Sequence, residues 1–425
     1  VSKNSGDTGL QLTYRPIKPL SGGVLQDIID TMNMTVVMIK LKEVSFDGAK
    51  YHVIRKDDSS MDYTAPHWQD NSEPLDGDAD DENDRKYPIC FTRNSKMKVT
   101  IKALYKPKDV FKDIQVKIKG DGPGDLDFPE RVAKIDNDKL IVFNTVCKNP
   151  FANEVDIFDP LEIRWEALYR DREINIGITQ NQCYITLGDP LTTVFHTLVH
   201  LGCKNADGEV EPNIIVDRIY EEFKDRRVLR VNTTKAMTYW SETNPSPRPC
   251  CFFTAGLLKN GDGRCGAWAR FFRDMVKVQG ISNINVILIE PPFISNIKKL
   301  RSDVKKYLGG RLCYFAPMFY VKNWDLSSLD PFNPIDKYGI AGQGNDDPTS
   351  HFLNHAIVEF NNKYYDPSYG SGPFSSKVEW EDASIEGFGA YVYVIRNGEE
   401  KPREHLYKEK YDTKGILETK FTVTH

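Results

Sequence analysis

A chain of 425 residues, 40% hydrophobic and 28% charged, has an ordinary globular composition but is too long for one core, so two or three domains are expected. A formal net charge of −5 gives no electrostatic reason to bind nucleic acid or an anionic membrane, and no run of about 18 apolar residues could span a bilayer. The eight cysteines include no CxxC pair and no Cys/His metal spacing, so they read as thiols in a chain that needs no disulfide, metal or cofactor.

Residues 1–190 read as β-rich. Short runs of β-branched and aromatic residues at Val36–Val44, Lys98–Leu104, Val116–Lys119, Leu140–Phe143, Leu161–Leu168 and Gln182–Leu187 are separated by turn clusters such as Asp121-Gly-Pro-Gly124. That spacing predicts one or two antiparallel sandwiches, with a short helix over Gly22–Met32. The acidic island 76–84 copies the first ligand spacing of a calcium loop at Asp76, Asp78 and Asp80. Asp81 then stands where that loop needs Gly, and Tyr87 where it needs Glu, so a solvated loop is the better reading. The chain opens at Val1 without Met and without an apolar leader; had a leader been removed, the compartment would be extracytoplasmic.

From about 190 the pattern turns helical. Thr192–Leu201 and Glu211–Asp225 carry spaced apolar residues. After the turn-rich stretch from Ser241 to Pro249 comes Asn260-Gly-Asp-Gly-Arg-Cys-Gly-Ala-Trp268. Its first half is turn material; its second opens a helix of about four turns, with Trp268, Phe272, Met275, Val276 and Gln279 on one face. Arg270 and Asp274 are expected as an i,i+4 pair on the outer side, and Gly280 as the stop. Cys265 falls in the first turn, where the unpaired N–H groups and the helix dipole favour a thiolate and could receive an oxyanion.

Strands are expected at Asn285–Ile289, Cys313–Lys322, His355–Phe360, Lys363–Asp366 and Ala390–Ile395. A long loop over about 325–350 contains Gly339, Gly342 and Gly344. With little apolar to anchor it, it is expected to border the cysteine as a mobile lid. Asn361-Asn362 predicts a tight hairpin turn. A two-residue loop sets Val358 opposite Tyr365 and places His355 and Asp366 on one face as diagonal neighbours. A cysteine at a helix start, with His and Asp sharing a hairpin face, is the set that thiol acyl-transfer chemistry needs: nucleophile, proton shuttle and orienting carboxylate.

Gly263-Arg-Cys-Gly-Ala-Trp-Ala269, then His355 opening one strand and Asp366-Pro367 ending the next, resembles the transglutaminase-like superfamily within the papain-like thiol fold. The resemblance covers about 240–370 and implies an α+β catalytic core over 191–425, preceded by a sandwich region over 1–190. Cys265 would be the nucleophile, His355 the general base and acid, Asp366 the orienting residue, and Trp240 an indole assisting the oxyanion. Gly266 stands where animal transglutaminases have an aromatic residue, and only 59 residues follow Asp366, too few for the two trailing barrels of those enzymes. The implied chemistry is hydrolysis or acyl transfer on a peptide or carboxamide bond of a protein or peptide substrate, with hydrolysis slightly preferred. The other reading is a non-catalytic binding protein that keeps the fold. The oligomeric state is left open.

Overall fold

The computed structural model describes residues 9–13, 31–35, 38–70, 85–106, 115–136, 139–170, 172–231, 233–241, 252–290, 313–321, 340–348, 351–396, 399–410 and 417–420. The acidic island and most of the stretch expected as a helix over Gly22–Met32 lie outside these. The end of that stretch is a strand: Thr31–Thr35 pairs antiparallel with Gly9–Thr13.

The architecture is α+β. Two six-stranded sheets face each other as one sandwich over 38–186. In one, Lys98–Lys106 is flanked by Met38–Asp47 and Lys139–Val146. In the other, the long hairpin Asp156–Tyr169/Arg172–Thr186 is the spine. Alternation along the strands does the work: Val99, Ile101 and Ala103 from one sheet meet Ile163, Trp165 and Ala167 from the other in a common core. Trp165 is fully buried, and a Cβ on Gly120 would lie 2.4 Å from its ring, so only glycine fits opposite it. The expectation of wholly antiparallel sheets needs correction. Ile89–Thr92 runs parallel to Arg172–Thr186, because the chain between them crosses to the other sheet and returns.

The outer face of that strand starts a second core. Cys183 and Ile185 point into the sandwich, whereas Tyr184 belongs with the helices. Helices α1 (His196–Asn205) and α2 (Pro212–Lys224) pack here, α2 opening on Pro212 in the first turn, where a missing N–H costs nothing. Helix α3 (Thr254–Asn260) leads through the left-handed Gly261 into α4 (Cys265–Val278). Asp262-Gly263, between the two helices, pairs parallel with Thr238-Tyr239.

Helix α4 is buried almost all round, including Trp268, Phe271, Phe272, Met275 and Val276. Each such side chain withdraws about 1.5–3 kcal/mol of apolar surface from water. The outer pair expected at Arg270 and Asp274 is not formed. Asp274 is buried, accepts the Thr254 hydroxyl and pairs with Arg273 at 2.7 Å, while Arg270 donates to the Phe252 and Gly266 carbonyls. The helix stops as expected. Gly280 has φ 80, and a Cβ there would come within 2.8 Å of the Gly188 backbone.

Helix α4 lies on a five-stranded sheet ordered Ser371–Phe374, Lys363–Asp366, His355–Phe360, Ile284–Glu290, Leu417–Lys420. A four-stranded sheet contains Cys313–Val321, Ile385–Arg396 and Glu399–Lys410. A fifth helix, α5 (Lys377–Ser384), follows the first sheet. Among the described residues no helix is long and apolar enough to cross a membrane.

Candidate active site

The hairpin forms in the expected register. Phe360 faces Lys363 and Val358 faces Tyr365, with Asn361 and Asn362 both at positive φ, 47° and 63°. The diagonal neighbours meet: His355 Nε2 lies 2.8 Å from Asp366 Oδ2, and each side chain is 1% exposed. Helix α4 packs on the strand His355–Phe360, and the buried Cys265 at its start, 4% exposed, interacts with His355.

The imidazole is held on both faces. Phe352 stacks at 4.9 Å and 23°, and Trp380 at 6.0 Å and 2°. Trp380 Nε1 also donates to Asp366 Oδ2 at 3.2 Å. With Nε2 engaged by the carboxylate, Nδ1 has no hydrogen-bond partner and is the nitrogen left for the thiol. Burial opposes a charge on His355. The Asp366 carboxylate beside it, and after that the Cys265 sulfur, outweigh burial and raise its proton affinity, to about 10. Asp366 thus orients the ring and favours its protonated form.

Two tyrosines close the surroundings. Tyr239 and Tyr369 pack edge to face at 5.2 Å, and burial pushes both phenols well above their usual range. A cavity beside His355, bounded by Asp366, Ser371, Trp380 and Ser384, measures only about 10 Å³, too small for a substrate.

Trp240 stands beside the turn that leads into Cys265. Its backbone N–H donates to the Gly263 carbonyl at 3.1 Å, and the Arg264 guanidinium lies 3.5 Å above its ring. The residue expected to be an indole assisting the oxyanion is thus beside the turn that carries Cys265. Its aromatic face is occupied by Arg264.

The loop with Gly342 and Gly344 borders the site, but residues 340–348 are not the loosely anchored lid expected of them. Gln343 is fully buried, and its side-chain amide donates to the carbonyls of Phe223 and Pro367. Its backbone N–H reaches the Ser368 carbonyl, and its carbonyl accepts from Tyr239 N. Gly342 lies so close to Tyr239 that a Cβ would be 2.6 Å from the ring; Gly344, at φ 55, would clash with the Met237 carbonyl. The glycines allow a tight strap, and polar groups supply the anchoring that apolar residues do not. The rest of the loop lies outside the described residues.

Trp380, Phe352 and Gln343 were not singled out from the sequence. Trp380 had a signal: Ser376-Lys-Val-Glu379 is a capping box, in which Ser376 accepts the Glu379 N–H and Glu379 reaches back to Ser375. It announces the helix that brings Trp380 to Asp366.

No protein-family model matches the chain, and no curated protein matches it either.

Proposed function

We propose that the chain is a thiol enzyme of the transglutaminase-like, papain-like kind, cleaving or transferring the acyl group of a peptide or carboxamide bond. One observation carries this reading. A fully buried His355 is bound to Asp366 through Nε2 and keeps Nδ1 unpartnered beside Cys265 at the start of a buried helix. In this scheme the Cys265 sulfur attacks the carbonyl carbon, forming the S–C bond, and the first N–H groups of α4 receive the oxyanion. The imidazolium gives its Nδ1 proton to the leaving amine as the C–N bond breaks. The now neutral imidazole takes a proton from water, or from a substrate amine, as that nucleophile attacks the thioester carbon; the S–C bond then breaks, releasing the acyl product and restoring the thiolate beside the imidazolium. Asp366 fixes the ring and stabilises its charged form throughout. Residues 191–425 would be the catalytic domain, and 1–190 the sandwich region ahead of it.

A second reading, a binding protein that keeps the fold, draws on the closure of the site, since Cys265, His355 and Asp366 are all at least 96% covered. Incubating the protein with a mixture of peptide amides, with and without an amine acceptor, separates the two. New amine groups or amine-linked products that vanish in Cys265→Ala support the enzyme. No product, together with no thioester trapped on Cys265 by an activated acyl ester, leaves the binding protein.

A further inference from the structure

The guanidinium nearest the nucleophile in sequence lacks, among the described residues, the polar partners that its neighbours have. Arg273 pairs with Asp274 at 2.7 Å, Arg230 donates to the Leu258 carbonyl at 2.7 Å, and Arg270 holds the Phe252 carbonyl at 2.9 Å. Arg264, directly before Cys265, has no hydrogen bond or ion pair among the described residues, and its Nη1 is buried without a partner. Withholding a counterion from a partly desolvated cation costs free energy, so the arrangement needs a reason.

Its setting is a platform. The guanidinium stacks on the Trp240 ring at 3.5 Å, which holds its plane, and the buried Nη1 at its donor edge has no protein partner among the described residues. Trp240 is itself fixed. It sits at φ 56, a region costly for a side chain of its size, and is pinned by its N–H to Gly263 and by the Asn345 amide on its carbonyl at 3.1 Å. Gly263 is the residue that leads into Arg264 and Cys265, so that backbone bond ties the platform to the turn carrying both.

We propose that Arg264, stacked on Trp240, is a carboxylate subsite beside Cys265, so that the preferred acyl donors are acidic: amides or peptides bearing a carboxylate next to the scissile carbonyl. A planar fork of N–H groups matches a carboxylate in two parallel hydrogen bonds, which neither a lysine nor the single N–H of His355 reproduces. The proposal rests on the triad reading, and its test keeps the two apart.

Iodoacetate and iodoacetamide alkylate a thiolate by the same displacement of iodide and differ in the carboxylate. Their rates at Cys265 are measured by peptide mass spectrometry on the full chain, and their ratio is compared with that for N-acetylcysteine. The expected ratio favours iodoacetate at Cys265 by about tenfold over the reference. It falls to near the reference value in Arg264→Gln, whose folding is checked by circular dichroism. A wild-type ratio equal to the reference overturns the subsite, and so does a preference that survives in Arg264→Gln, since the imidazolium would then be its source. If Arg264→Gln does not fold, Arg264→Lys keeps the charge without the fork and is expected to retain less than about a third of the preference; full retention overturns the proposal. If Cys265 reacts with iodoacetamide no faster than the buried cysteines, the triad reading falls and the subsite with it. A normal iodoacetamide rate without anion preference removes the subsite alone.

Discussion

Two regions of the molecule bury histidines, with opposite results. In the sandwich, His67 accepts the Phe46 N–H at Nδ1 and meets the Tyr51 hydroxyl at Nε2, 2.7 Å away. Where the sandwich meets α1, His196 lies among Tyr184, Gln182 and Tyr63. Burial lowers the proton affinity of both, to about 4. His355 is more deeply buried than either, yet it is raised, because its neighbour is a carboxylate rather than a hydroxyl. Burial alone silences an imidazole; a buried anion in contact with it makes a base. The thiols divide in a related way. Cys90 and Cys183 lie in the cores, with burial pushing both well above the usual range, whereas Cys265 stands at a helix start beside His355. Unpartnered buried polar atoms also gather in the second region: His355 Nδ1, Asp366 Oδ1, Arg264 Nη1 and the Ser368 hydroxyl. Native proteins keep such atoms rare, so their concentration marks a site that does something other than hold the fold.

Replacing one histidine at a time sharpens this contrast most. His355→Gln is expected to slow iodoacetamide alkylation of Cys265 near neutral pH about 10²-fold or more, while His67→Gln and His196→Gln change it by less than about twofold. Equal losses in all three would dissolve the distinction between the regions.

Stability against pH reads the same contrast with opposite signs. His355 binds its proton more tightly folded than unfolded. Its contribution is complete below the unfolded value of about 6.5 and is lost as pH rises toward about 10. His67 and His196 are neutral in the fold. Their contribution is complete above about 6.5 and is lost as pH falls toward about 4. Each limb has a slope of roughly 1.4 kcal/mol per pH unit for each group at its steepest. Denaturant midpoints measured across pH should show Asp366→Asn flattening the alkaline limb only and His196→Gln shallowing the acid limb only.

Trp380→Phe keeps the ring against His355 and removes the N–H to Asp366. It should cost about 1–2 kcal/mol of stability and a few-fold in Cys265 alkylation. An unchanged rate would make Trp380 packing alone. The smallest effect concerns the strap: Gly342→Ala, pressing a Cβ on Tyr239, should cost about 1–3 kcal/mol. Amide exchange should show Gln343 and Gly344 in the wild type protected like the neighbouring strands, and rapid exchange there would restore the lid.

Much of the site could be read from the residues because its geometry is local. Asn361-Asn362 sets the hairpin register, and register places His355 with Asp366; Gly261-Asp-Gly263 and the apolar spacing that follows place Cys265 at a helix start. The sandwich strands were legible through alternation, although their ends were drawn short: the run read at Gln182–Leu187 belongs to a strand of fifteen residues, Arg172–Thr186. What stayed hidden depends on distant pairing. The parallel partner of Arg172–Thr186 is fixed by a crossover that leaves no local pattern. Asp274 looked like an outer charge because i,i+4 spacing cannot reveal that α3 delivers Thr254 against it. Glycines and acids around Gln343 suggested a loose loop, because composition counts apolar anchors and overlooks a buried amide bonded to two carbonyls.

The proposed function stands on Cys265 as an activated thiol paired with His355. Competitive labelling of the folded chain with limiting iodoacetamide near pH 7, mapped by mass spectrometry over Cys90, Cys147, Cys183, Cys203 and Cys265, tests it most directly. Cys265 should be labelled at least about 10²-fold faster than the other four, with that lead lost in His355→Gln. Slow labelling of Cys265 at the pace of Cys90 and Cys183, or a fast rate indifferent to His355→Gln, would contradict it.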